Sequence, residues 1–146
     1  MAIYATKQDL MDRDEQMLWN FAIDRNTDEL NDTWINQALE QADEEIDSFL
    51  ARRFELPLPT VPGMLNKIAI TIAFYWLADR DQQATNLLEE RYKMQLQTLR
   101  DIADGKRELG LPTLDDNNPT EGSVGKVELV QEGERLFTRN KLRGVL

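Results

Sequence analysis

Apolar residues recur every three or four positions along much of the chain, which is the period of an α-helix that buries one face. The pattern is clearest over residues 32–53, where acidic residues fall between the apolar ones. It returns over residues 83–104 and stops at Gly105, a residue type that commonly ends helices. These two stretches are predicted to be amphipathic helices that each pack one face and expose the other.

Residues 61–79 follow a different pattern, because they are apolar on nearly every side of the predicted helix. Pro62 stands where a first-turn proline is favoured, and the prolines just before it end the preceding helix. A helix that is apolar all round must be covered on most sides. We therefore expect this helix to be the centre of the domain.

The N-terminal region predicts shorter helical pieces. Thr6 and Asp9 have the spacing of a capping box, so a short helix should begin there. A second apolar set with helical spacing follows Arg13 and Asp14 and ends at Ala22. The polar residues 24–31 after it are typical of a turn.

Together these elements predict an all-α protein, a small bundle of four or five helices with short connections. Its predicted core consists of apolar and aromatic residues at helix-spaced positions: Ile35, Leu39, Ile46, Phe49, Leu50, Ile68, Ile72, Trp76, Leu88, Tyr92 and Leu99. The helical domain is predicted to span residues 1–111.

The sequence changes character after this domain. Residues 112–123 are rich in Pro, Gly, Asn and Asp and predict a flexible linker. Residues 124–146 combine large apolar side chains with basic ones, unlike ordinary disordered tails. The pattern fits a short β-hairpin and an extended arm equally well. The residues expected to bind a partner or a neighbouring subunit are Leu136, Phe137, Thr138, Arg139, Lys141, Leu142 and Arg143.

Such an arm needs a surface to cover its apolar side chains. Docking on its own domain is one alternative, and docking on another subunit or partner by strand addition is the favoured one. The net charge of −10 is concentrated in residues 1–60, which hold 14 acidic and 5 basic side chains, whereas residues 135–146 hold four basic and no acidic ones. The basic arm can therefore dock on the acidic body of a neighbouring copy. The acidity also argues against sequence-specific DNA binding.

The amino-acid composition argues against the common catalytic mechanisms. The chain lacks histidine and cysteine and has two serines, Ser48 and Ser123, so nucleophile–imidazole catalysis and common zinc sites cannot be built. Residues 24–28 begin like a calcium loop, but Glu29 and Ile35 stand where that loop needs glycine and glutamate. An Asx-rich turn is the favoured interpretation. We expect no enzymatic activity and no cofactor.

Two other clusters have structural interpretations. The acidic run from Asp43 to Asp47 spreads around its helix, so a solvated face is favoured over a magnesium site. Phe74, Tyr75 and Trp76 are consecutive on a helix and point in different directions, so core packing is favoured over a stacking platform. The most apolar segment, residues 68–78, is about half the length needed to cross a bilayer, and the N-terminus lacks a signal-peptide pattern. Cytoplasmic synthesis without membrane association is expected.

In order and joint occurrence, several stretches resemble the phage Mu-like head–tail adaptor family of tailed phages and prophages. The stretches that carry the resemblance are Tyr4-Ala5-Thr6 with Asp9-Leu10, Glu45 to Phe54 followed by Leu56-Pro57-Leu58 and Val61-Pro62, Arg91-Tyr92, Leu99 to Lys106 with Leu109-Gly110-Leu111, and Phe137 to Gly144.

The resemblance implies a virion structural protein of the phage neck that forms a ring beneath the portal and joins the DNA-filled head to the tail. The implied partners are the portal protein, neighbouring copies of the chain and a head-closure or tail protein. Genomic DNA would pass through the ring without sequence-specific binding. No catalytic residue is implied.

Two other functions remain open on the sequence alone. An acidic helical binding module, such as an inhibitor that mimics DNA, would use the acidic body and not the arm. A metal-dependent hydrolase would use the carboxylates and would bind magnesium, manganese or calcium.

Overall fold

The first helix begins at the predicted capping box. The Thr6 side chain accepts a hydrogen bond from the Asp9 backbone N–H (3.2 Å), and the Asp9 carboxylate accepts one from the Thr6 N–H (2.9 Å). Helix α1 runs from Lys7 to Ala22 and is interrupted at Asp14, whose backbone is not helical. The Asp14 carboxylate accepts the Met17 N–H and so starts the second half of the helix. The break explains the two separate apolar sets in the sequence.

The structure, a computed structural model, describes residues 2–114. After α1 come strands β1 (Ile23–Asp24) and β2 (Glu29–Leu30), then helices α2 (Asp32–Leu50), α3 (Gly63–Arg80) and α4 (Asn86–Ala103). The two strands pair antiparallel, with Ile23 opposite Leu30. The all-α prediction is confirmed for this part of the chain, apart from the short hairpin.

The hairpin lies where the sequence predicts only a polar turn. The Asp24 side chain accepts the Asn26 N–H, which is an Asx turn, and Asp28 adopts a left-handed backbone with φ of 61°. The Asn31 side chain then caps α2 by accepting the Trp34 N–H (3.0 Å). Each strand has only two residues, which is too short to show the alternation of apolar and polar residues by which strands are predicted.

Helix α3 packs against each of the other three helices, which agrees with its predicted central position. Its buried residues include Leu65, Ile68, Ile72 and Leu77, each at most 1% exposed. It begins at Gly63, directly after Pro62, and the chain before it contains a cis peptide bond between Leu56 and Pro57. Helix α2 lies against α3, α4 and α1 through its apolar stripe.

The predicted core residues divide into two groups. Eight are buried: Ile35, Leu39, Ile46, Leu50, Ile68, Ile72, Leu88 and Leu99. Phe49, Trp76 and Tyr92 are half-buried and lie at the border of the core. Large aromatic side chains are often buried only in part, with the polar tip of Tyr or Trp at the surface.

Gly105 ends α4 with a positive φ of 86°, as its position in the sequence predicts. Residues 51–54 run beside this end. The Arg53 guanidinium donates to the Ile102 carbonyl (2.9 Å), and Arg52 forms an ion pair with Asp104 (3.3 Å). The segment after α2 therefore supplies donors and charge to the C-terminal end of α4, where backbone carbonyls lack helical partners.

Substitution of Gly105 by alanine tests this helix end. A Cβ there meets ordinary space, 3.9 Å from the nearest Arg53 atom, so the cost comes from the left-handed backbone. We expect G105A to lower the free energy of unfolding by about 1–2 kcal/mol in urea titrations. Gly63→Ala is the matched control, since a Cβ at Gly63 contacts nothing within 4 Å and should leave stability unchanged or slightly raised. Equal effects of the two substitutions would contradict the assigned backbone geometry.

Candidate functional site: surfaces of the helical body

The N-terminal segment is fastened to α2 by carboxylates of the acidic run. Asp43, only 6% exposed, accepts the backbone N–H groups of Ile3 (2.7 Å) and Tyr4 (3.2 Å). The buried Tyr4 hydroxyl donates to Asp47. On the other side, the Asn66 side chain of α3 donates to the Tyr4 carbonyl (2.8 Å). The solvated-face prediction is therefore wrong for Asp43 and Asp47.

Another carboxylate of the same run, that of Glu45, forms hydrogen bonds with aromatic residues of α3 and α4. Glu45 accepts the Tyr92 hydroxyl (2.6 Å) and the Trp76 indole N–H (3.4 Å). Tyr92 stacks on Tyr75 with ring centroids 4.1 Å apart, and Trp76 meets both tyrosines edge to face. Phe74 is buried, whereas Tyr75 and Trp76 are half-buried, so core packing describes only the first of the three aromatic residues.

These contacts shift the titration of several side chains. Burial, aided by hydrogen bonds to nearby carboxylates, raises the pKa of Tyr4 and of Tyr92. Burial also raises the pKa of Tyr75, with the charges of Asp79, Glu89 and Glu45 acting in the same direction. The tyrosines therefore act as neutral hydrogen-bond donors at physiological pH, which suits a structural role.

Burial raises the pKa of the Asp43 carboxyl above its ordinary value of 3.8, although the two backbone donors act in the opposite direction. The folded chain thus holds this proton more tightly than the unfolded chain, so this group adds stability as the pH falls through its raised pKa towards 3.8. We expect Asp43→Asn to remove that response. Urea titrations from pH 7 to 4 should show wild-type stability rising relative to D43N, and parallel curves would contradict this account.

A groove lies between α2 and α3, with a cavity volume of ≈ 250 Å³. Trp34 and Trp76 line it, and the Arg80 guanidinium lies 3.6 Å from the centre of the Trp34 ring. Gln37, Gln41 and Asp79 add polar groups. Helix α2 as a whole carries six carboxylates and no basic residue.

A shallower groove, of ≈ 340 Å³, lies between α1 and the start of α4. Its lining includes Met17, Phe21 and Leu87, and Leu87 is 55% exposed. Met94, 65% exposed, lies two helical turns further along α4. The two side chains lie on the same side of the helix, with the exposed charged residues Glu90 and Arg91 at the positions between them.

Among residues 2–114, no group of three or more carboxylates is close enough to hold a metal ion. The first carboxylate of the calcium-like stretch, Asp24, is occupied by its turn and by Asn31 (3.4 Å). Within the same range, no helix combines the length and apolarity that a membrane span requires.

The predicted partner-binding residues 136–143 lie outside the described residues, as do the linker from residue 115 onward and the arm. Their assignment stays a prediction. The structure does bring together other stretches that carry the family resemblance. The stretch from Glu45 to Phe54 contacts Tyr4 through Asp47, Tyr92 through Glu45, and Ile102 through Arg53. The stretches that carry the family resemblance therefore include residues whose contacts stabilise the fold.

Comparison with known proteins defines the class: this is a phage protein built on a small helical fold. The chain belongs to the family described as "Bacteriophage Mu, Gp36", whose model matches residues 4–128. It is 30% identical over 151 aligned positions to "Mu-like prophage FluMu protein gp36" of Haemophilus influenzae (strain ATCC 51907 / DSM 11121 / KW20 / Rd), with both chains covered completely. It is also 31% identical to "Gene product J" of Escherichia phage Mu, over 76% of this chain and 75% of that protein.

Proposed function

We propose that the chain is a virion structural protein of the phage neck, a head–tail adaptor that docks on the portal and joins the DNA-filled head to the tail. It would form a ring with copies of itself and meet a head-closure or tail protein on its other side. The chain would stay in the host cytoplasm until it joins the virion. Membership of a phage Mu family supports the general class.

The observation that carries the proposal is the open α1–α4 groove, whose lining includes the apolar side chains of Met17, Phe21 and Leu87. Leu87 and, further along α4, Met94 are the two most exposed of the large apolar side chains in the described residues. Exposed apolar surface of this kind typically marks a protein–protein contact. A ring subunit needs such a surface to meet its neighbour.

The charge of the body supports the passage of DNA. Residues 2–114 hold 21 acidic and 12 basic side chains. An acidic wall repels phosphate groups, so a DNA channel lined by it would let the duplex slide without binding.

The alternative function, an inhibitor that mimics DNA, has weaker support. Such a mimic needs exposed carboxylates that are spaced like phosphates. On α2, the carboxylates of Asp43, Glu45 and Asp47 already accept hydrogen bonds from Tyr4, Trp76, Tyr92 and the N-terminal backbone. These acids are therefore committed to the fold.

Light scattering tests the adaptor proposal directly. The purified chain should form a complex of higher mass when it is mixed with the portal protein encoded in the same phage genome. Replacing Leu87 and Met94 by serine should weaken that assembly, because it removes the most exposed apolar side chains at and beside the α1–α4 groove. A chain that stays a strict monomer and ignores the portal would contradict the proposed function.

A further inference from the structure

The groove between α2 and α3, here called the indole groove, is defined by Trp34, Gln37, Gln41, Trp76, Asp79 and Arg80. We propose that it receives residues 136–143 of a neighbouring copy of this chain. The inference rests on the proposed function, which places several copies side by side. It adds the surface on which each arm docks.

The two indoles of the groove are held in place before any partner arrives. Trp76 donates to Glu45 and contacts Tyr75 and Tyr92 edge to face, and Trp34 lies under the Arg80 guanidinium. Half-exposed aromatic rings in fixed positions are typical centres of protein interfaces. Because these rings are already ordered, less conformational entropy is lost when a partner binds there.

Charge selects a basic occupant. The exposed Asp79 lies in the groove wall, Glu45 lies beside Trp76, and α2 carries no basic residue. The Arg80 cation also lines the groove, where it stacks on Trp34. The Asp81 carboxylate lies 3.8 Å from Arg80 and 3.7 Å from Arg25 and offsets part of their charge, so Asp79 and Glu45 leave a small excess of negative charge around the groove. The surface therefore favours a segment that combines an apolar anchor with positive charge.

Residues 136–143 have this chemistry within the same chain. Phe137, Arg139, Lys141 and Arg143 recur at every second position, so an extended peptide presents the anchor and the three cations on one side. The exposed amides of Gln37 and Gln41 can bond to the backbone of such a peptide.

The length of chain also permits docking on a neighbour. The 23 residues that follow Leu114, up to Phe137, can span at most about 75 Å. A body of about 110 residues has a radius of gyration near 13 Å, so this length is sufficient to connect to a neighbouring copy.

A fluorescent peptide of residues 135–146 tests the assignment in anisotropy titrations. Its receptor is the full-length chain carrying R139E, K141E and R143E, so that the receptor's own arm does not compete. We expect saturable binding that weakens with added salt and is lost when the peptide carries Phe137→Ala. A scrambled peptide of the same composition should bind far more weakly. Equal binding of the scrambled and native peptides would overturn the proposal.

Matched receptor substitutions locate the site. Asp79→Lys should weaken peptide binding about five- to tenfold, whereas Glu90→Lys, the same charge change on exposed α4, should have little effect. Absence of peptide binding, or equal effects of the two substitutions, would refute docking in the indole groove. The peptide assay contains no portal, so a failure of the adaptor function and a failure of the groove assignment are distinguishable.

A photo-crosslinking experiment separates a neighbouring copy from the chain's own body. Full-length chains with benzoylphenylalanine at position 137 are prepared with ¹⁴N and with ¹⁵N, mixed, and irradiated. We expect mass spectrometry to find crosslinks of mixed isotope content to residues 34–41 or 76–80. Crosslinks only within chains of one isotope, or to other segments, would contradict the assignment.

Discussion

Truncation of the chain after residue 123 is expected to abolish assembly on the portal while the helical body stays folded. The described helices and their buried side chains all lie before residue 111, so the loss of residues 124–146 removes nothing from this core. The removed residues include five of the chain's 17 basic side chains, four of them within residues 135–146, which hold no acid, together with Phe137 and Leu142. Loss of an apolar, charge-complementary segment should remove most of the affinity.

The truncated chain should retain the far-UV circular dichroism and the thermal midpoint of the full chain. Its complex with the portal should fall below detection in light scattering. The full-length variant R139E, K141E and R143E controls for chain length, and we expect it to assemble as poorly as the truncated chain. A truncated chain that still assembles would show that the body alone carries the contacts.

The second large effect is expected at the centre of the body. Ile72 is completely buried on α3, the helix that packs against the other three. Ile72→Ala should lower the free energy of unfolding by about 2–5 kcal/mol, because it removes buried methyl groups and leaves a cavity. Domains of this size are stable by only about 5–15 kcal/mol, so the substitution costs a large share of the total.

Leu87→Ala provides the matched contrast, because Leu87 is 55% exposed on α4. We expect a change in unfolding free energy within about 0.5 kcal/mol and a weaker assembly with the portal. Urea titrations of both variants, followed by the tryptophan fluorescence, give the comparison. Similar destabilisation at the two positions would contradict the assignment of α3 as the centre.

The helices could be predicted from the sequence because their signals are local. The Thr6 capping box, the apolar stripe of α2 and the terminating Gly105 each act through neighbouring residues, and each lies where the pattern predicts. The hairpin between Ile23 and Leu30 could not be predicted, because two paired residues on each side carry no periodicity.

The roles of the acidic residues depend on contacts far along the chain. Asp43 accepts hydrogen bonds from residues about 40 positions away, and Glu45 accepts one from Tyr92, 47 positions away. One signal could have identified Asp43: together with Leu39, Ile46 and Leu50 it has the spacing of a single helix face, so it lies on the buried stripe of α2. A carboxylate on such a stripe needs a specific donor.

The indole groove also lay beyond sequence reasoning. Trp34 and Trp76 are 42 residues apart, and only the packing of α2 on α3 brings them to one surface. The half-burial of Trp76 could not be predicted for the same reason, because helical periodicity assigns a residue to a helix face but does not show how much of its side chain a neighbouring helix covers.

Deletion of the gene from its phage or prophage genome tests the adaptor function most directly. Electron microscopy of the resulting lysates should show DNA-filled heads and separate tails that do not join, and expression of the chain from a plasmid should restore complete virions. Complete, infectious virions formed without the chain would contradict the proposed function.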